Sequence, residues 1–218
     1  MTSTWHKLRN PLLLCGIIAS ILYPLTDVIA SYTWKAYDVN SQTVSELFAI
    51  NAPSRSVVVP LFIAYSVFVY FFGWGIWLSA GDKRPLRIAA ILIISKEVMG
   101  LLGTLFTPIH LRGIPGDMRD VWHGIITAAG VLFCMFPAMG FGAAAFEKPF
   151  RIYSIITMAV FITFGTLSGF MGDALSKNEP TPWMGIYERI NIYGYMIWVI
   201  VFAILLVKRN NGAIFKSQ

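Results

Sequence analysis

The stretch LRIAAILIISKEVMGLLGTLFT, residues 86–107, decides the fold. It is long and apolar enough to cross a membrane as a helix, because about 20 mostly apolar helical residues span the hydrocarbon core. It also holds two opposite charges, Lys96 and Glu97, near its middle. Charged side chains at this depth cost several kcal/mol and seldom face lipid. The stretch therefore predicts one helix of a membrane bundle that has a polar interior.

The composition of the whole chain supports a membrane protein. Of 218 residues, 56% are apolar and only 13% are charged, whereas soluble domains contain about 25% charged residues. The net charge is +6, but the basic residues form no cluster interleaved with aromatic residues, so nucleic acid is not an expected partner. Cys15 and Cys134 lie inside apolar runs, and we expect two buried thiols there instead of a disulfide.

Six apolar runs are long enough to span a membrane. They cover residues 11–31, 56–80, 86–107, 121–146, 152–175 and 190–207. Alternation of apolar and polar residues is absent, which disfavours a β-barrel. No repeat or linker divides the runs. The sequence predicts an all-α, polytopic membrane protein whose residues 1–218 form a single domain, a six-transmembrane-helix bundle.

The distribution of Lys and Arg predicts the orientation of this bundle. Both termini and the two short connections hold ten of these residues, and the three long connections hold six. Because basic residues favour the cytoplasmic side, we expect both termini (N-in/C-in) and the short turns in the cytoplasm and the long loops outside. The first run also resembles a signal peptide ending at Val28-Ile29-Ala30, so its cleavage is an alternative. The tight turns and the even helix count favour its retention.

Acidic residues collect toward the outer side, and two of them lie within apolar helices. These are Asp27 in the first run and Asp173 in the fifth. Gly165, Gly169 and Asp173 share one helical face, and small residues at this spacing let a neighbouring backbone approach. We expect Asp173 to point into the bundle. Since Lys96, Gly100, Gly103 and Thr107 form a similar stripe, the third and fifth runs are predicted to meet along these faces.

Lys96 and Glu97 admit a structural and a functional interpretation. Adjacent helical residues diverge by about 100°, so we expect each to find a different partner, such as a hydroxyl on another helix for Glu97. A buried polar network that fixes helix register is the structural interpretation. A titratable relay in a proton- or ion-coupled transporter is the functional one.

A possible metal site precedes and opens the fourth run. Asp117, Asp120 and His123 recur every three residues, and His110 lies in the loop before them. Such residues could bind a divalent metal and activate water. The simpler interpretation is that Asp117 or Asp120 caps the helix, where a carboxylate is favourable.

The first outer loop predicts a short helix that Ser41 or Thr43 caps and that ends at Asn51-Ala-Pro53. Its hydroxyl groups invite a comparison with serine hydrolases. However, neither a Gly-x-Ser-x-Gly elbow nor a Ser-x-x-Lys motif is present, so a nucleophilic serine is not favoured.

Three outer segments together resemble a known family. Ser41-Gln-Thr-Val-Ser-Glu-Leu47 with Ala52-Pro-Ser54, then Thr107-Pro108 with Trp122-His123-Gly124, and finally Gly185-Ile-Tyr-Glu-Arg189 occur in that order. They resemble motifs of the uncharacterised membrane family called domain of unknown function 998. The resemblance implies a six-helix integral protein of a bacterial or archaeal cell membrane. It implies no activity and no cofactor.

The resemblance also indicates which residues belong to a shared pattern. These are Ser41, Ser45, Glu46, His123, Glu188 and Arg189. The Lys96-Glu97 pair lies outside every motif of the family. A shared function is therefore expected near the outer face, with the pair as the polar floor of an outward-opening bundle.

Three functions remain as hypotheses. The favoured one is binding of a membrane lipid or small amphiphile in an outward-facing polar cavity, or an accessory role. The candidate residues for this cavity and its polar network are Asp27, Ser41, Ser45, Glu46, Lys96, Glu97, Asp173, Glu188 and Arg189. The alternatives are a hydrolase with a metal at His110, Asp117, Asp120 and His123, and a transporter that uses Lys96 and Glu97. A homo-oligomer is left open, and three histidines are too few for paired haem ligands.

Overall fold

The protein is an all-helical bundle. The computed structural model describes residues 2–215 and the side chains of residues 7–212, and the described part contains no strand. Its helices are α1 (Thr2–Thr33), α2 (Arg55–Ser79), α3 (Arg84–Phe106), α4 (Met118–Ala129), α5 (Phe136–Ala144), α6 (Lys148–Phe170), α7 (Gly172–Ser176) and α8 (Met184–Phe215). A 3₁₀ helix, Val44–Phe48, lies in the first long connection, where a short helix was predicted.

Among the described residues, six stretches of helix are long and apolar enough to span a membrane, which confirms the predicted number. They are Lys7–Thr33, Arg55–Ser79, Arg84–Phe106, Met118–Ala144, Lys148–Ser176 and Met184–Gly212. The fourth stretch joins α4 to α5 through a π-helical segment, Gly130–Met135. Pro137 follows this segment and has no N–H to donate to the preceding turn, which explains why the backbone widens there.

The helices close into a ring. Helix α1 packs against α2 and α8, α2 packs against α3, α3 packs against α4 and α5, and α6 packs against α5 and α8. Gly75 allows α2 to approach α1 closely, because a Cβ at this position would lie 2.8 Å from the backbone nitrogen of Leu13. Helix α6 is peripheral: its buried residues are Phe150, Ser154 and Phe161.

The two ends of the bundle differ in character. The turn face carries the short connections 80–83 and 145–147. Asn10 donates to Asn211 there, so the first part of α1 and the last part of α8 lie at this end. The larger apolar core, which includes Phe72, Trp198 and Phe202, fills the half nearest the turn face. The loop face carries the long connections 34–54, 107–117 and 177–183. That the turn face is cytoplasmic stays a prediction from charge.

Candidate functional site

A buried ion pair joins the first and last helices beneath the loop face. Arg189 donates from Nε to Asp27 Oδ2 at 2.8 Å and from Nη2 to Asp27 Oδ1 at 2.9 Å. Tyr193 also donates to Asp27. The side chains of Arg189 and Asp27 are only 7% and 2% exposed. Asp27 and Arg189, which the sequence placed in the polar network, therefore meet across 162 residues of chain.

The same arginine fastens the first loop. Its remaining N–H groups donate to the hydroxyl of Tyr37 at 2.6 Å and to the carbonyls of Val39, Gln42 and Gly185. Burial raises the pKa of Tyr37 well above its ordinary value, so this phenol stays protonated. A Cβ at Gly185 would clash with the carbonyl oxygens of Val39 and Gln42, which explains the glycine at this position.

A second arginine–carboxylate pair joins the first and second loops. Arg112 donates to the two oxygens of Glu46 at 2.8 and 2.9 Å. It also donates to Thr181 Oγ1 and to the Ser41 carbonyl, both at 2.7 Å, and so reaches the third loop. Glu46 also accepts from the backbone N–H of Thr43, the residue that caps the 3₁₀ helix, at 2.9 Å. Glu46 therefore organises all three loops while it is 1% exposed.

Glu188 adds a further tie between the loop and α8. Its Oε2 accepts from the backbone N–H of Val44 at 2.5 Å. This N–H lies at the start of the 3₁₀ helix, where backbone donors lack partners within the helix. Together, Glu188 and the two arginine–carboxylate pairs hold the loops of the loop face in place over the helices.

An open cavity lies in the loop face. It has a volume of about 490 Å³ and is lined by Asp38, Asn40, Ser41, Arg112, Pro180, Thr181, Pro182 and Trp183. Ser41 Oγ donates to Asp38 Oδ2 at 2.6 Å, and this hydrogen bond is the main cause of the lowered pKa of Asp38. Asp38 thus stays ionised near neutral pH, and the cavity presents a carboxylate and a guanidinium.

Ser45 and His123 form a separate contact. Ser45 Oγ lies 3.2 Å from Nε2 of His123, and Nδ1 of the same ring lies 2.9 Å from the Thr107 carbonyl oxygen. The histidine is 9% exposed. Both residues belong to the pattern that the resemblance indicated, although their sequence motifs lie 78 residues apart.

The four predicted metal ligands do not all come together. Atoms of His110, Asp117 and Asp120 lie within 4.8 Å of one another, whereas His123 turns toward Thr107 and Ser45. Asp120 Oδ1 accepts from the His110 backbone at 2.8 Å, and Oδ2 lies 2.7 Å from His110 Nδ1. The three grouped residues could approach a divalent ion, but the carboxylate of Asp120 is already engaged.

Asp117 has the role that the simpler interpretation gave it. It is the N-cap of α4 and accepts from the backbone N–H of Arg119 at 2.7 Å. Side-chain hydrogen bonds from Arg119 lower the pKa of Asp117 to about 2. Helix capping and pairing with Arg119 therefore account for this carboxylate.

Lys96 and Glu97 lie deeper in the bundle. Glu97 Oε1 accepts from Ser66 at 2.6 Å, so the expected hydroxyl partner on another helix is present. The expectation that the two charges have separate partners is otherwise wrong, because Lys96 Nζ lies 3.6 Å from Glu97 Oε2. The two side chains leave the helix in directions about 100° apart, but the lysine side chain is long enough to reach back to the carboxylate. Lys96 Nζ also lies 5.6 Å from the ring centre of Tyr195.

A small cavity adjoins this pair. It has a volume of about 10 Å³ and is lined by residues that include Ser20, Tyr65, Glu97 and Tyr195. This is about the space that one water needs. Glu97 Oε2 is buried without a hydrogen-bond partner among the described residues. The pair forms a polar floor with room for one water.

The prediction for Asp173 is wrong. Its side chain is 75% exposed and pairs with Lys177, one helical turn away, at 2.7 Å. A Cβ at Gly169 would meet nothing within 4 Å. Because α6 packs against α5 and α8 while α3 packs against α2, α4 and α5, the predicted meeting of the third and fifth runs is also wrong.

Comparison with protein families gives one match. A family described as protein of unknown function, DUF998, matches residues 17–205. The chain belongs to this family. Neither the curated proteins nor the solved structures contain a match to it. The membership agrees with the resemblance seen in the sequence, and it shows a membrane protein family of unknown function.

Sequence reasoning missed several polar residues of this DUF998 protein. Arg112 was treated only as a loop charge, and Tyr37, Tyr193 and Thr181 were not considered. One feature of the sequence could have indicated Arg112. A buried Glu46 needs a cation as its partner, and the outer loops hold few Lys and Arg residues. No comparable signal marked the two tyrosines.

Proposed function

We propose that this protein binds the zwitterionic head group of an amphiphile, a phosphate joined to an ammonium, in the loop-face cavity. The observation that supports it is a cavity of about 490 Å³ lined by Arg112, Asp38 and Trp183. This size lies within the range of about 300–1,000 Å³ that is typical of ligand pockets. Opposite charges and an aromatic ring in one cavity match the two charges of such a head group.

Arg112 would bind the phosphate. Its bonds to Glu46, Thr181 and Ser41 fix the guanidinium and use one of the two hydrogens on Nη1. The other Nη1 hydrogen is available to a ligand. This hydrogen can donate to one phosphate oxygen, and the guanidinium adds a positive charge that does not titrate near neutral pH.

Asp38 and Trp183 would bind the ammonium. The carboxylate supplies the opposite charge, and an indole face attracts alkylammonium groups. Trp183 is 57% exposed and has a φ of 71°, a conformation that bulky residues rarely adopt. Strained residues of this kind cluster at functional sites, which supports a role for the ring in binding.

The depth of the cavity also fits a lipid head group. Helix α2 has 25 residues and is roughly 37 Å long at about 1.5 Å per residue, which exceeds a hydrocarbon core of ~30 Å. The helix ends, and the loops beyond them, therefore lie at the level of the head groups.

The test is a binding titration with short-chain, soluble lipids. Purified protein in detergent is titrated with dihexanoyl phosphatidylcholine and, separately, with dihexanoyl phosphatidylglycerol, which lacks the ammonium. We expect tighter binding of the zwitterionic lipid, and we expect Asp38→Asn to weaken it roughly tenfold, or ~1.4 kcal/mol. Asp173→Asn is the matched control because it removes an exposed carboxylate elsewhere. Equal binding of the two lipids, or unchanged binding by Asp38→Asn, would contradict the proposal.

The metal-dependent hydrolase is less well supported. Three of its four candidate ligands come together, but Asp120 and Asp117 already hold His110 and Arg119. Elemental analysis of protein purified without chelators tests it. Less than one divalent ion per ten chains would rule this hypothesis out.

A further inference from the structure

Ser45 and His123 form a contact that has no part in the proposed head-group site. The Thr107 carbonyl can only accept a hydrogen bond, so Nδ1 of His123 carries a hydrogen and donates it at 2.9 Å. In a neutral ring, Nε2 then has a free lone pair. Ser45 Oγ, at 3.2 Å, donates to it. A hydroxyl, a base and a group that orients the base are the parts of an activated nucleophile.

The contact is placed where a substrate can reach it. Ser45 is partly exposed. Ser45 touches His123 on α4, while its neighbour Val44 is bound by Glu188 on α8. Helices α4 and α8 share no packed interface in the described chain. The start of the 3₁₀ helix therefore lies over a gap between these two helices.

Two residues on α3 and α4 near His123 are exposed. Gly100 lies on the buried face of α3, yet it is exposed and a Cβ there would meet nothing within 4 Å. Thr127 lies one turn along α4 from His123 and is also exposed. We call the space between α4 and α8 beneath the 3₁₀ helix the lateral cleft. Because α4 shares no packed interface with α6 or α8 in the described chain, no contact between these helices closes the cleft toward lipid.

We propose that Ser45 and His123 hydrolyse a fatty-acyl ester that enters through the lateral cleft. The ester bonds of a lipid lie where head group and acyl chain meet. Ser45 belongs to the loop face but contacts His123 on a membrane-spanning helix, which places it close to this boundary. The proposal assigns Ser45 as the nucleophile and His123 as the general base. Thr107 positions the ring through its carbonyl. An elbow motif is not needed, because the nucleophile lies at the start of a 3₁₀ helix.

The chemistry balances with water as the only co-reactant. Ser45 Oγ attacks the ester carbonyl carbon, and its proton passes to Nε2 of His123. The carbon–oxygen bond to the leaving alcohol breaks, and Nε2 returns the proton to that oxygen. Water then attacks the acyl-serine, giving its proton to Nε2, which protonates Ser45 Oγ as it leaves. The products are one carboxylic acid and one alcohol.

Two measurements on the full chain in phospholipid nanodiscs test this proposal. A fluorophosphonate probe is added and the protein is digested and mapped by mass spectrometry, and hydrolysis of p-nitrophenyl butyrate is followed separately. We expect one adduct per chain, on Ser45. We expect Ser45→Ala and His123→Gln to lower turnover roughly 100-fold or more. Ser176→Ala, which removes an exposed hydroxyl, is the control and retains both signals.

Folding is checked so that every outcome is decisive. Ser45→Ala removes one partly exposed oxygen and should keep the wild-type melting temperature, whereas His123→Gln removes a buried ring. Failure of wild-type protein to form the Ser45 adduct, or wild-type turnover by folded Ser45→Ala, would overturn the proposal. The small probe needs no head group, so this result is separate from the lipid titration and each proposal can fail alone.

Discussion

Replacing Asp27 by Asn should destabilise the bundle, because Asp27 belongs to a buried ion pair beneath the loop face. Asp27 accepts two hydrogen bonds from Arg189 and one from Tyr193. The amide keeps one oxygen but turns an NH₂ group toward an N–H of Arg189, which cannot accept from it. Arg189 would then be a buried cation without its carboxylate.

The expected cost is about 3 kcal/mol. Breaking a buried ion pair from one side costs about 3–5 kcal/mol, because the remaining charge is uncompensated. The lower end applies here, since Arg189 still donates to Tyr37 and to three backbone carbonyls. Solvent screening is weak because the two side chains are 7% and 2% exposed.

The free energy of unfolding is measured by titration with dodecyl sulfate in mixed micelles. Asp173→Asn is the control: it breaks the exposed pair with Lys177, whose side chain is 58% exposed, and should cost less than about 0.5 kcal/mol. A double-mutant cycle with Arg189→Gln isolates the pair itself. A cost below about 1 kcal/mol for Asp27→Asn, or a coupling near zero, would refute this reasoning.

The other predictions concern deeper packing and pH. Glu97→Gln should lower the free energy of unfolding by about 1–2 kcal/mol, less than Asp27→Asn, because the amide keeps the Ser66 hydrogen bond and Lys96 is 23% exposed and 3.6 Å from its carboxylate. A loss as large as that of Asp27→Asn in the same assay would contradict this. Gly75→Ala should lower the free energy of unfolding by about 1–3 kcal/mol, because the added Cβ meets the backbone of α1. Gly124→Ala is the control: its Cβ meets nothing within 4 Å, so the change should be neutral or stabilising by up to ~1 kcal/mol. The affinity for the head group should be constant from pH 7 to pH 5 and fall only in stronger acid, because the pKa of Asp38 is below its ordinary value of 3.8. A loss of affinity above pH 5 would exclude Asp38 as the ammonium partner.

The sequence predicted the architecture well because hydropathy reports directly on the solvent around each helix. The six spans agree with the structure except at their edges. The helix cap at Asp117 and the short helix in the first loop were also confirmed, since capping depends on neighbours in sequence.

Contacts between distant segments were harder to predict. Periodicity placed Asp173 on one face of its helix but could not say whether another helix covers that face, and within the described chain none does. Likewise, the regular spacing of Asp117, Asp120 and His123 suggested one ligand set, but the N-cap residue turns back to Arg119 and His123 turns to α3. The Ser45–His123 contact depends on where the first loop folds over α4, which no local pattern encodes.

The pairing of Asp27 with Arg189 has a consequence for biogenesis. Ribosomes make α1 long before α8, so Asp27 enters the membrane while its partner, 162 residues away, does not yet exist. A carboxylate near the end of a span can stay hydrated at the membrane surface or take up a proton. The first helix can therefore insert before the last one, but its carboxylate stays unpaired until α8 arrives, and chains truncated before α8 should be substrates for membrane quality control.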